Sequence, residues 1–246
     1  AHLESGLRSH DRTMPEEINR IVTDQISDIL YVHSEEALRN LELEGIPAER
    51  AHFVGNTMID TLVAFDDRIH QNDVLRTMDL GEGGHALVTI HRPANVDDAQ
   101  ALRRVIDLVA LVAKERRVVF PVHPRTAASL QRFDLQGVLD GIMDLSLVPP
   151  LDYFAFQKLV ATSAFVITDS GGVQEETTFR GVPCFTLRES TERPITTTVG
   201  TNELLPFDLG ALTSVLDRLR AGGAVRGRIP DLWDGHATER VFDVLN

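Results

Sequence analysis

Residues 163–176 constrain the fold more than any other stretch of the chain. Their sequence is Ser-Ala-Phe-Val-Ile-Thr-Asp-Ser-Gly-Gly-Val-Gln-Glu-Glu. The apolar run at 164–167 indicates a buried strand, the two glycines indicate a turn, and the residues after them indicate a helix. Glycines allow backbone N–H groups to approach a ligand closely, and the positive end of a helix dipole attracts anions. The stretch therefore predicts a phosphate site on Ser170, Gly171 and Gly172, although an ordinary strand-to-helix turn shows the same pattern.

Two carboxylates follow the glycine turn. Glu175 and Glu176 lie one turn into the predicted helix, where they could accept hydrogen bonds from the ribose hydroxyls of a nucleotide. Solvated glutamates on an exposed helix face would give the same sequence, so the pattern leaves both interpretations open.

The formal net charge of the 246-residue chain is −13, which limits the partners that the protein can have. Such an excess of negative charge argues against non-specific nucleic-acid binding and against binding to anionic membranes. An anionic substrate would therefore need a local group of arginines. Five arginines stand beside glycine, histidine or proline breaks, although each is also compatible with a solvated surface position: Arg8, Arg92, Arg125, Arg188 and Arg193.

Cysteine content and hydropathy narrow the class of protein further. Cys184 is the only cysteine, so the sequence holds neither a disulfide framework nor a cysteine metal site. No stretch approaches the length and hydrophobicity of a membrane span, and the first residues do not resemble a secretion signal. We therefore expect a cytoplasmic protein without membrane insertion. Because 43% of the residues are apolar, the chain can bury a substantial core.

Short apolar runs alternate with amphipathic segments along the whole chain. Pro15 opens a predicted helix with one apolar face, formed by Ile18, Ile21, Val22 and Ile26. A polar, glycine-rich segment at 71–84 indicates a domain boundary. Beyond it, strands are predicted at 86–90, 118–122, 145–148, 164–167 and 184–187. This alternation predicts mostly parallel α/β sheets with right-handed crossovers.

Polar and mostly basic residues follow four of the predicted strands. They lie at 91–92, 123–125, 169–172 and 188–193. Ligands of parallel α/β sheets bind outside the carboxyl ends of the strands. One such ending is weak evidence, but four on the same edge of one sheet predict an anion site there.

Six motifs together resemble the non-hydrolysing UDP-N-acetylglucosamine 2-epimerases in order and spacing over nearly the whole chain. They are Glu4-Ser5-Gly6-Leu7-Arg8-Ser9, Pro15-Glu16-Glu17-Ile18-Asn19-Arg20, Gly55-Asn56-Thr57, His91-Arg92, residues 168–176 and Thr191-Glu192-Arg193-Pro194. The resemblance implies an α/β, GT-B-like fold of two Rossmann-like parallel-sheet domains, the first one incomplete in this chain. We expect residues 1–75 to be the remaining part of the N-terminal domain. Residues 76–246 would form the C-terminal UDP-binding domain with closing C-terminal helices.

The resemblance also implies an activity, the reversible inversion at C2 that interconverts UDP-N-acetylglucosamine and UDP-N-acetylmannosamine. The family's reaction eliminates UDP to give a 2-acetamidoglucal and then adds UDP back to the other face of the ring. It uses neither a metal nor a nicotinamide, so we expect no cofactor. The expected partners are a UDP-sugar substrate and a second copy of the chain in a homodimer, with no nucleic acid. The weakly acidic C2 proton needs a base whose pKa is raised by burial or by a like charge.

The motifs carry the family's catalytic positions onto Glu4, Glu16 and His91. The resemblance implies that His91 lies against the diphosphate, where a cationic imidazole can stabilise the leaving group. From the residues alone, Glu16 is also compatible with an acid in the first turn of a helix. Glu4 is likewise compatible with a solvated side chain, and His91 with a cap on the loop that follows.

Further positions match the family's binding residues. Ser170, Gly171 and Gly172 match the family's phosphate turn, and Arg193 matches a phosphate contact. Glu176 matches the carboxylate that binds the ribose, and Phe156 matches the residue whose backbone contacts uracil. Arg92 and His123 match positions that in bacterial relatives help to form a second, regulatory UDP-N-acetylglucosamine site. Four histidines have no motif around them and are interpreted as surface or packing residues: His33, His52, His70 and His85.

The sequence departs from the family pattern in two places. The family's usual His-Arg-Arg-Glu-Asn is His-Arg-Pro-Ala-Asn at 91–95, which puts the regulatory site in doubt. Family members carry a complete first Rossmann half ahead of the Glu4 motif, with a Gly-Asp-Thr segment whose aspartate belongs to the catalytic set. That string does not occur in this sequence. If the sequence is a fragment, we expect nucleotide binding with little or no turnover.

Three other functions remain compatible with the sequence. A hydrolysing 2-epimerase would trap the same glucal with water and release N-acetylmannosamine and UDP. A GT-B glycosyltransferase would share the sheet, the phosphate turn and the ribose glutamate, but the trio of Glu4, Glu16 and His91 argues against it. A non-catalytic nucleotide-sugar-binding domain is favoured only by the missing N-terminal half.

Overall fold

The computed structural model describes residues 1–223 and 227–246. The chain begins with a three-stranded parallel sheet in the order β1-β2-β3, formed by β1 (His2–Leu3), β2 (Leu30–Val32) and β3 (Ala51–Phe53). Its helices are α1 (Pro15–Ile26), α2 (Glu35–Leu43) and α3 (Thr57–Ala64), with a 3-10 turn at Ala48–Arg50. This sheet and these helices are called the first unit below.

The second unit is a six-stranded parallel sheet with helices on both faces. Its strands are β4 (His85–Thr89), β5 (Arg117–Pro121), β6 (Leu145–Val148), β7 (Phe165–Thr168), β8 (Cys184–Thr186) and β9 (Asn202–Leu204). Their order in the sheet is β6-β5-β4-β7-β8-β9. The strand order therefore reverses between β4 and β7, the topological switch point at which doubly wound sheets bind ligands.

The helices that follow α3 alternate with these strands. They are α4 (Asp66–Gln71), α5 (Val74–Thr77), α6 (Pro93–Val96), α7 (Ala99–Ala113), α8 (Pro124–Arg132), α9 (Gln136–Asp140), α10 (Tyr153–Thr162), α11 (Gly171–Arg180), α12 (Ile195–Thr198), α13 (Leu209–Arg220) and α14 (Ala237–Leu245). The apolar stripe of α7 packs on one face of the sheet, and α10 packs on the other. The α/β class with two parallel sheets is confirmed.

Most element positions follow the sequence prediction closely, since strong periodicity and caps define them. Ser34 caps α2 by accepting a hydrogen bond from the Ala37 N–H, and Asp152 caps α10 in the same way. The edge strand β9 was not predicted, and neither was α8, although Pro124 begins this helix and His123 caps it. No helix within residues 1–223 or 227–246 has both the length and the apolar character needed to cross a membrane.

Helix α1 forms as predicted, but its apolar face is largely exposed. Val22 and Ile26 are 52% and 77% exposed. The residues that α1 buries are instead Glu17 and Asp24. Glu17 accepts hydrogen bonds from the backbone N–H groups of Ser9 and His10, so it fixes the loop that follows β1.

The last helix returns to the first unit instead of packing on the six-stranded sheet. The Asp60 carboxylate in α3 accepts hydrogen bonds from the N–H groups of Ala237 and Thr238 at the start of α14. Just before α14, Trp233 is buried against Ile59 and Leu62. Its indole N–H donates to the His33 carbonyl oxygen at 3.0 Å.

Candidate active site

The turn between β7 and α11 forms the centre of the site. Thr168 ends β7, and its hydroxyl accepts a hydrogen bond from the Ser170 N–H at 3.0 Å. Gly171 and Gly172 then begin α11. The first N–H groups of a helix have no partner within it, so this end of α11 offers donors and positive potential to an anion.

Gly171 has a specific steric reason to be glycine. A Cβ at this position would lie 2.5 Å from Arg193 Nη1 and 2.8 Å from Glu192 Oε1. The backbone at the start of α11 is therefore in direct contact with the Arg193 guanidinium. The predicted phosphate turn and the predicted phosphate-binding arginine are adjacent.

Arg193 binds three carboxylates from both units. Its Nε lies 2.9 Å from Glu175 Oε2, its Nη1 2.7 Å from Glu192 Oε1, and its Nη2 3.3 Å from Glu4 Oε2. Burial disfavours the charged guanidinium, but the three carboxylates outweigh burial and raise the pKa of Arg193. Glu4 belongs to the first unit, so this arginine joins the two units at the phosphate turn.

Glu192 is the centre of an arginine cluster. In addition to Arg193, it lies 2.7 Å from Arg188, 3.6 Å from Arg92 and 3.9 Å from Arg20 of the first unit. Burial raises the pKa of this carboxyl, but the hydrogen bond from Arg188 and the surrounding guanidinium charges lower it to about 2. Four guanidinium groups therefore converge on one carboxylate beside the phosphate turn, which provides the local group of arginines that an anionic ligand needs.

The remaining two of the five arginines singled out in the sequence lie in other ion pairs. Arg8 is buried and pairs with Asp24 and Glu44 of the first unit. Arg125 pairs with Asp97 on the surface, 2.8 Å from its carboxylate. The expectation of a local arginine group therefore holds for Arg92, Arg188 and Arg193 only.

Asp169 organises the end of β4, and sequence reasoning assigned no role to its side chain. Its buried carboxylate accepts hydrogen bonds from the N–H groups of His91 and Arg92 and from the side-chain amide of Asn95. His91 Nδ1 lies 3.2 Å from the same carboxylate. The aspartate between β7 and α11 thus fixes the first residues after β4, directly at the switch point of the sheet.

His91 is half-buried beside a second histidine. Its ring centroid lies 5.0 Å from that of His123. Burial lowers the pKa of His91, Asp169 opposes this shift, and the charges of His123 and Arg92 add to it. The imidazole is therefore neutral near pH 7 when nothing is bound, and the predicted cationic form would need a bound anion to favour it.

The two carboxylates predicted to be catalytic differ in their surroundings. Glu4 directly follows β1 with a left-handed φ of 57° and contacts Arg193. Glu16 is exposed in the first turn of α1, and its charge acts on Arg92. Both therefore lie on the side of the first unit that faces the arginine cluster.

Glu176 is nearly buried in α11 beside Glu175. Burial raises the pKa of Glu176 to about 7, the charge of Glu175 adds to this shift, and Gln157 and Arg180 oppose it. Phe156 lies in the first half of α10, where its backbone N–H donates to the Asp152 carbonyl oxygen at 3.0 Å. That amide hydrogen is therefore already used within the helix.

The two residues predicted to be regulatory lie in the same cluster of strand ends. The Arg92 Nε donates to the Asp169 carbonyl oxygen at 2.8 Å. His123 is exposed at the start of α8, where its Nδ1 accepts a hydrogen bond from the Arg125 N–H. Their regulatory role stays a prediction.

His33 is a further site residue that could not be found from the sequence, because no motif surrounds it. It lies just after β2 and is 2% exposed. Its Nε2 lies 3.1 Å from Glu175 Oε1, which places it one ion pair away from Arg193. Within the described ranges 1–223 and 227–246, no group of three or more His, Cys, Asp or Glu side chains could hold a metal ion.

Comparisons with known proteins identify the family. A family model described as UDP-N-acetylglucosamine 2-epimerase matches residues 1–246. The chain is 36% identical over 224 residues to a UDP-N-acetylglucosamine 2-epimerase of Methanococcus maripaludis, covering 89% of this chain and 61% of the relative. A relative of the same name from Methanocaldococcus jannaschii is 38% identical over 210 residues, with 83% of this chain and 57% of the relative covered.

A solved structure is similar over the whole chain. It is the Methanocaldococcus jannaschii UDP-GlcNAc 2-epimerase in complex with UDP-GlcNAc and UDP, with a TM-score of 0.88, 34% identity, and coverage of 100% of this chain and 68% of that one. The chain thus spans about three fifths of the length of the curated relatives described above. The match to the family model over all 246 residues shows that the chain belongs to the UDP-N-acetylglucosamine 2-epimerase family.

Proposed function

We propose that the protein is an isomerase that interconverts UDP-N-acetylglucosamine and UDP-N-acetylmannosamine. The observation that carries this proposal is the contact of Arg193 with both Glu4 and the start of α11. A candidate base from one unit and a candidate diphosphate site from the other share one guanidinium. The names of the relatives support the same substrate class.

The proposed reaction proceeds by elimination and re-addition. A carboxylate takes the proton from C2, the C2–H electron pair forms the C1=C2 double bond, and the C1–O bond breaks so that UDP leaves with its electron pair. UDP then adds back to C1 through the same phosphate oxygen, and C2 receives a proton on the opposite face. Glu4 and Glu16 are the proposed carboxylates for these proton transfers.

The other residues have proposed roles in binding. The phosphate turn of Ser170, Gly171 and Gly172 would hold the diphosphate together with Arg193. Because bound phosphate is negative, it would raise the lowered pKa of His91, and the imidazolium would then stabilise the departing UDP.

Glu176 is proposed to bind the ribose, and Phe156 to contact uracil. Arg92 and His123 are carried over only as candidates for a regulatory site. A cytoplasmic location, a homodimer and the division at residues 75 and 76 belong to the same proposal. The location derives from the cysteine content and hydropathy, the homodimer from the family resemblance, and the division from the glycine-rich segment at 71–84 together with that resemblance.

A proton NMR time course of UDP-N-acetylglucosamine with the protein in D₂O tests the function. Loss of the C2 proton signal together with appearance of UDP-N-acetylmannosamine is the expected result for the active enzyme. Free UDP with N-acetylmannosamine would identify the hydrolysing reaction instead. Broadened uracil lines with an unchanged C2 proton would mean binding without turnover, and sharp lines with no reaction would overturn the proposal.

Two variants make the time course specific. Glu4→Gln should keep the uracil broadening but lose any C2 exchange, because the amide cannot accept the proton. Glu35→Gln is the matched control, since Glu35 is an exposed carboxylate in the first turn of α2. It should behave as the unmodified protein.

A further inference from the structure

We propose that Arg193 holds the Glu4 carboxylate in the nucleotide-free protein and releases it when a diphosphate binds the same guanidinium. Nucleotide binding would thereby free the candidate base for proton abstraction. The inference rests on the proposed function, because it concerns the order of events at the same site.

The three carboxylates on Arg193 are not equally exchangeable. The side chains of Glu175 and Glu192, on Nε and Nη1, are 0% and 2% exposed, whereas Glu4 on Nη2 is 33% exposed. Removing a buried carboxylate from its cation would leave an unpaired charge in a low-dielectric environment. Glu4 can instead turn into solvent, so it is the partner that an incoming anion displaces.

The position of the guanidinium brings the exchange to the phosphate turn. Arg193 Nη1 would lie within 2.5 Å of a Cβ on Gly171, so the guanidinium is already in contact with the first turn of α11. An anion that binds the free N–H groups of that turn meets the Arg193 side chain as well. With Glu4 still in place, two sets of negative charge would compete for one cation.

The backbone around Glu4 is fixed, so the exchange involves only the side chain. The Ser5 N–H donates to the Tyr31 carbonyl oxygen at 3.1 Å, and the Gly6 N–H donates to Asp24 at 3.0 Å. Glu4 itself has a positive φ, a conformation that a non-glycine residue keeps only when its surroundings enforce it. The Cα of Glu4 is therefore held beside Arg193 while its carboxylate can change partner.

Release has a direct geometric consequence. While Arg193 holds it, the Glu4 carboxylate accepts a hydrogen bond from Nη2 at 3.3 Å and is turned toward the guanidinium. If the diphosphate takes the Nη2 edge of Arg193, the Glu4 side chain becomes free to move toward the bound sugar.

Isothermal titration with UDP tests the exchange through binding alone. If Glu4 competes with UDP for Arg193, Glu4→Gln should bind UDP about 3- to 10-fold more tightly than the unmodified protein. Uridine, which has no phosphate, should bind both proteins equally. If Glu4 does not compete with UDP for Arg193, Glu4→Gln would leave the affinity for UDP unchanged. That result would overturn the inference.

Two controls separate exchange at Arg193 from a general charge effect. Glu35→Gln removes an exposed carboxylate of the first unit that pairs with Arg39 and has no proposed role in the site, so it should change the UDP affinity less than about 1.5-fold. In an Arg193→Lys background, Glu4→Gln should raise the affinity for UDP by less than about 2-fold. A lysine has no guanidinium with which to hold Glu4 and the other carboxylates at the same time. An equal rise in the affinity for UDP in Glu4→Gln, in the control variant and in Glu4→Gln on the Arg193→Lys background would show a general effect of removing negative charge. Such a result would contradict the inference.

The outcome also distinguishes this inference from the proposed function. If the unmodified protein binds UDP but Glu4→Gln binds it no better, the function stands and the exchange is wrong. If the unmodified protein binds no UDP at all, both are wrong. Should Arg193→Lys fail to give a cooperative thermal transition, the comparison of Glu4→Gln with Glu35→Gln still decides the question.

Discussion

His33 Nε2 and Glu175 Oε1 lie 3.1 Å apart across the boundary between the two units, and both side chains are almost completely buried. Burial raises the pKa of Glu175, but the charge of Arg193 and the contact with His33 outweigh it and lower the pKa. His33 thus supports the carboxylate that holds the Nε edge of Arg193. The histidine therefore acts on Arg193 through Glu175.

Replacement of His33 tests the energetic value of this contact. His33→Ala should lower the free energy of unfolding by about 1–3 kcal/mol, because Glu175 loses a buried partner and a cavity remains. His33→Gln keeps a donor and should recover part of the loss. Urea denaturation measures both, with His70→Ala at an exposed surface pair as the control that should stay within about 0.5 kcal/mol. An unchanged urea midpoint in His33→Ala would show that the pair of His33 and Glu175 contributes nothing to the free energy of unfolding.

Gly171→Ala tests whether contact between α11 and Arg193 matters for the nucleotide. The new Cβ would displace the guanidinium, so the affinity for UDP should fall about 10-fold or more, which is about 1.4 kcal/mol. Gly137→Ala is the matched control, because nothing lies within 4 Å of a Cβ at that helix position. If both variants bind UDP equally well in titration calorimetry, the phosphate turn is placed wrongly.

The raised pKa of Glu176 predicts a pH-dependent stability. Because this pKa is about 7 in the folded protein and 4.5 in the unfolded reference, the folded state binds more protons between these values. The unfolding free energy should therefore fall as pH rises from 5 to 8, with a contribution of about 2–3 kcal/mol from this group.

Glu176→Gln removes that contribution, since the amide does not titrate. Urea denaturation at pH 5, 6, 7 and 8 should show a smaller decline for this variant than for the unmodified protein. The exposed Glu82→Gln serves as the control, and its pH profile should match the unmodified one. Parallel profiles for all three proteins would contradict the assignment to Glu176.

The lowered pKa of His91 predicts that proton uptake accompanies UDP binding. Bound diphosphate favours the imidazolium, so the affinity for UDP should rise as pH falls from 7.5 to 5.5, by up to about 10-fold. The phosphate of UDP also titrates in this range, but it changes the pH dependence of binding equally in every variant. The difference between the unmodified protein and His91→Asn therefore gives the contribution of the histidine. Calorimetry in two buffers of different ionisation enthalpy counts the protons, and the same count in both proteins would exclude His91.

Strand ends could be predicted from the sequence because each lies next to a strong local pattern. Residues 91–92, 169–172 and 188–193 each follow a short apolar strand, and the parallel topology brings them to one edge. The family resemblance identified Glu4 and Arg193 as site residues. Their direct contact joins residues 189 positions apart, and no local periodicity encodes such a distance.

Other features depend on how the two units pack and were beyond sequence reasoning. His33 carries no motif, and its partner Glu175 lies in helix α11 of the second unit. In α1, the period predicted an apolar face, yet the helix buries Glu17 and Asp24 because polar contacts to the loop after β1 determine its orientation. Asp169 was visible as part of a motif, but its bonds to His91 and Asn95 require the strand order.

The return of α14 to α3 has a mechanical consequence. Within the described residues, the polypeptide leaves the first unit after α3 and comes back to it at Trp233, where Asp60 and the His33 carbonyl oxygen anchor it. Two covalent tethers instead of one therefore join the two sheets. With a single chain crossing, one unit could rotate relative to the other in any direction. With two crossings, rotation is restricted to the axis that passes through both.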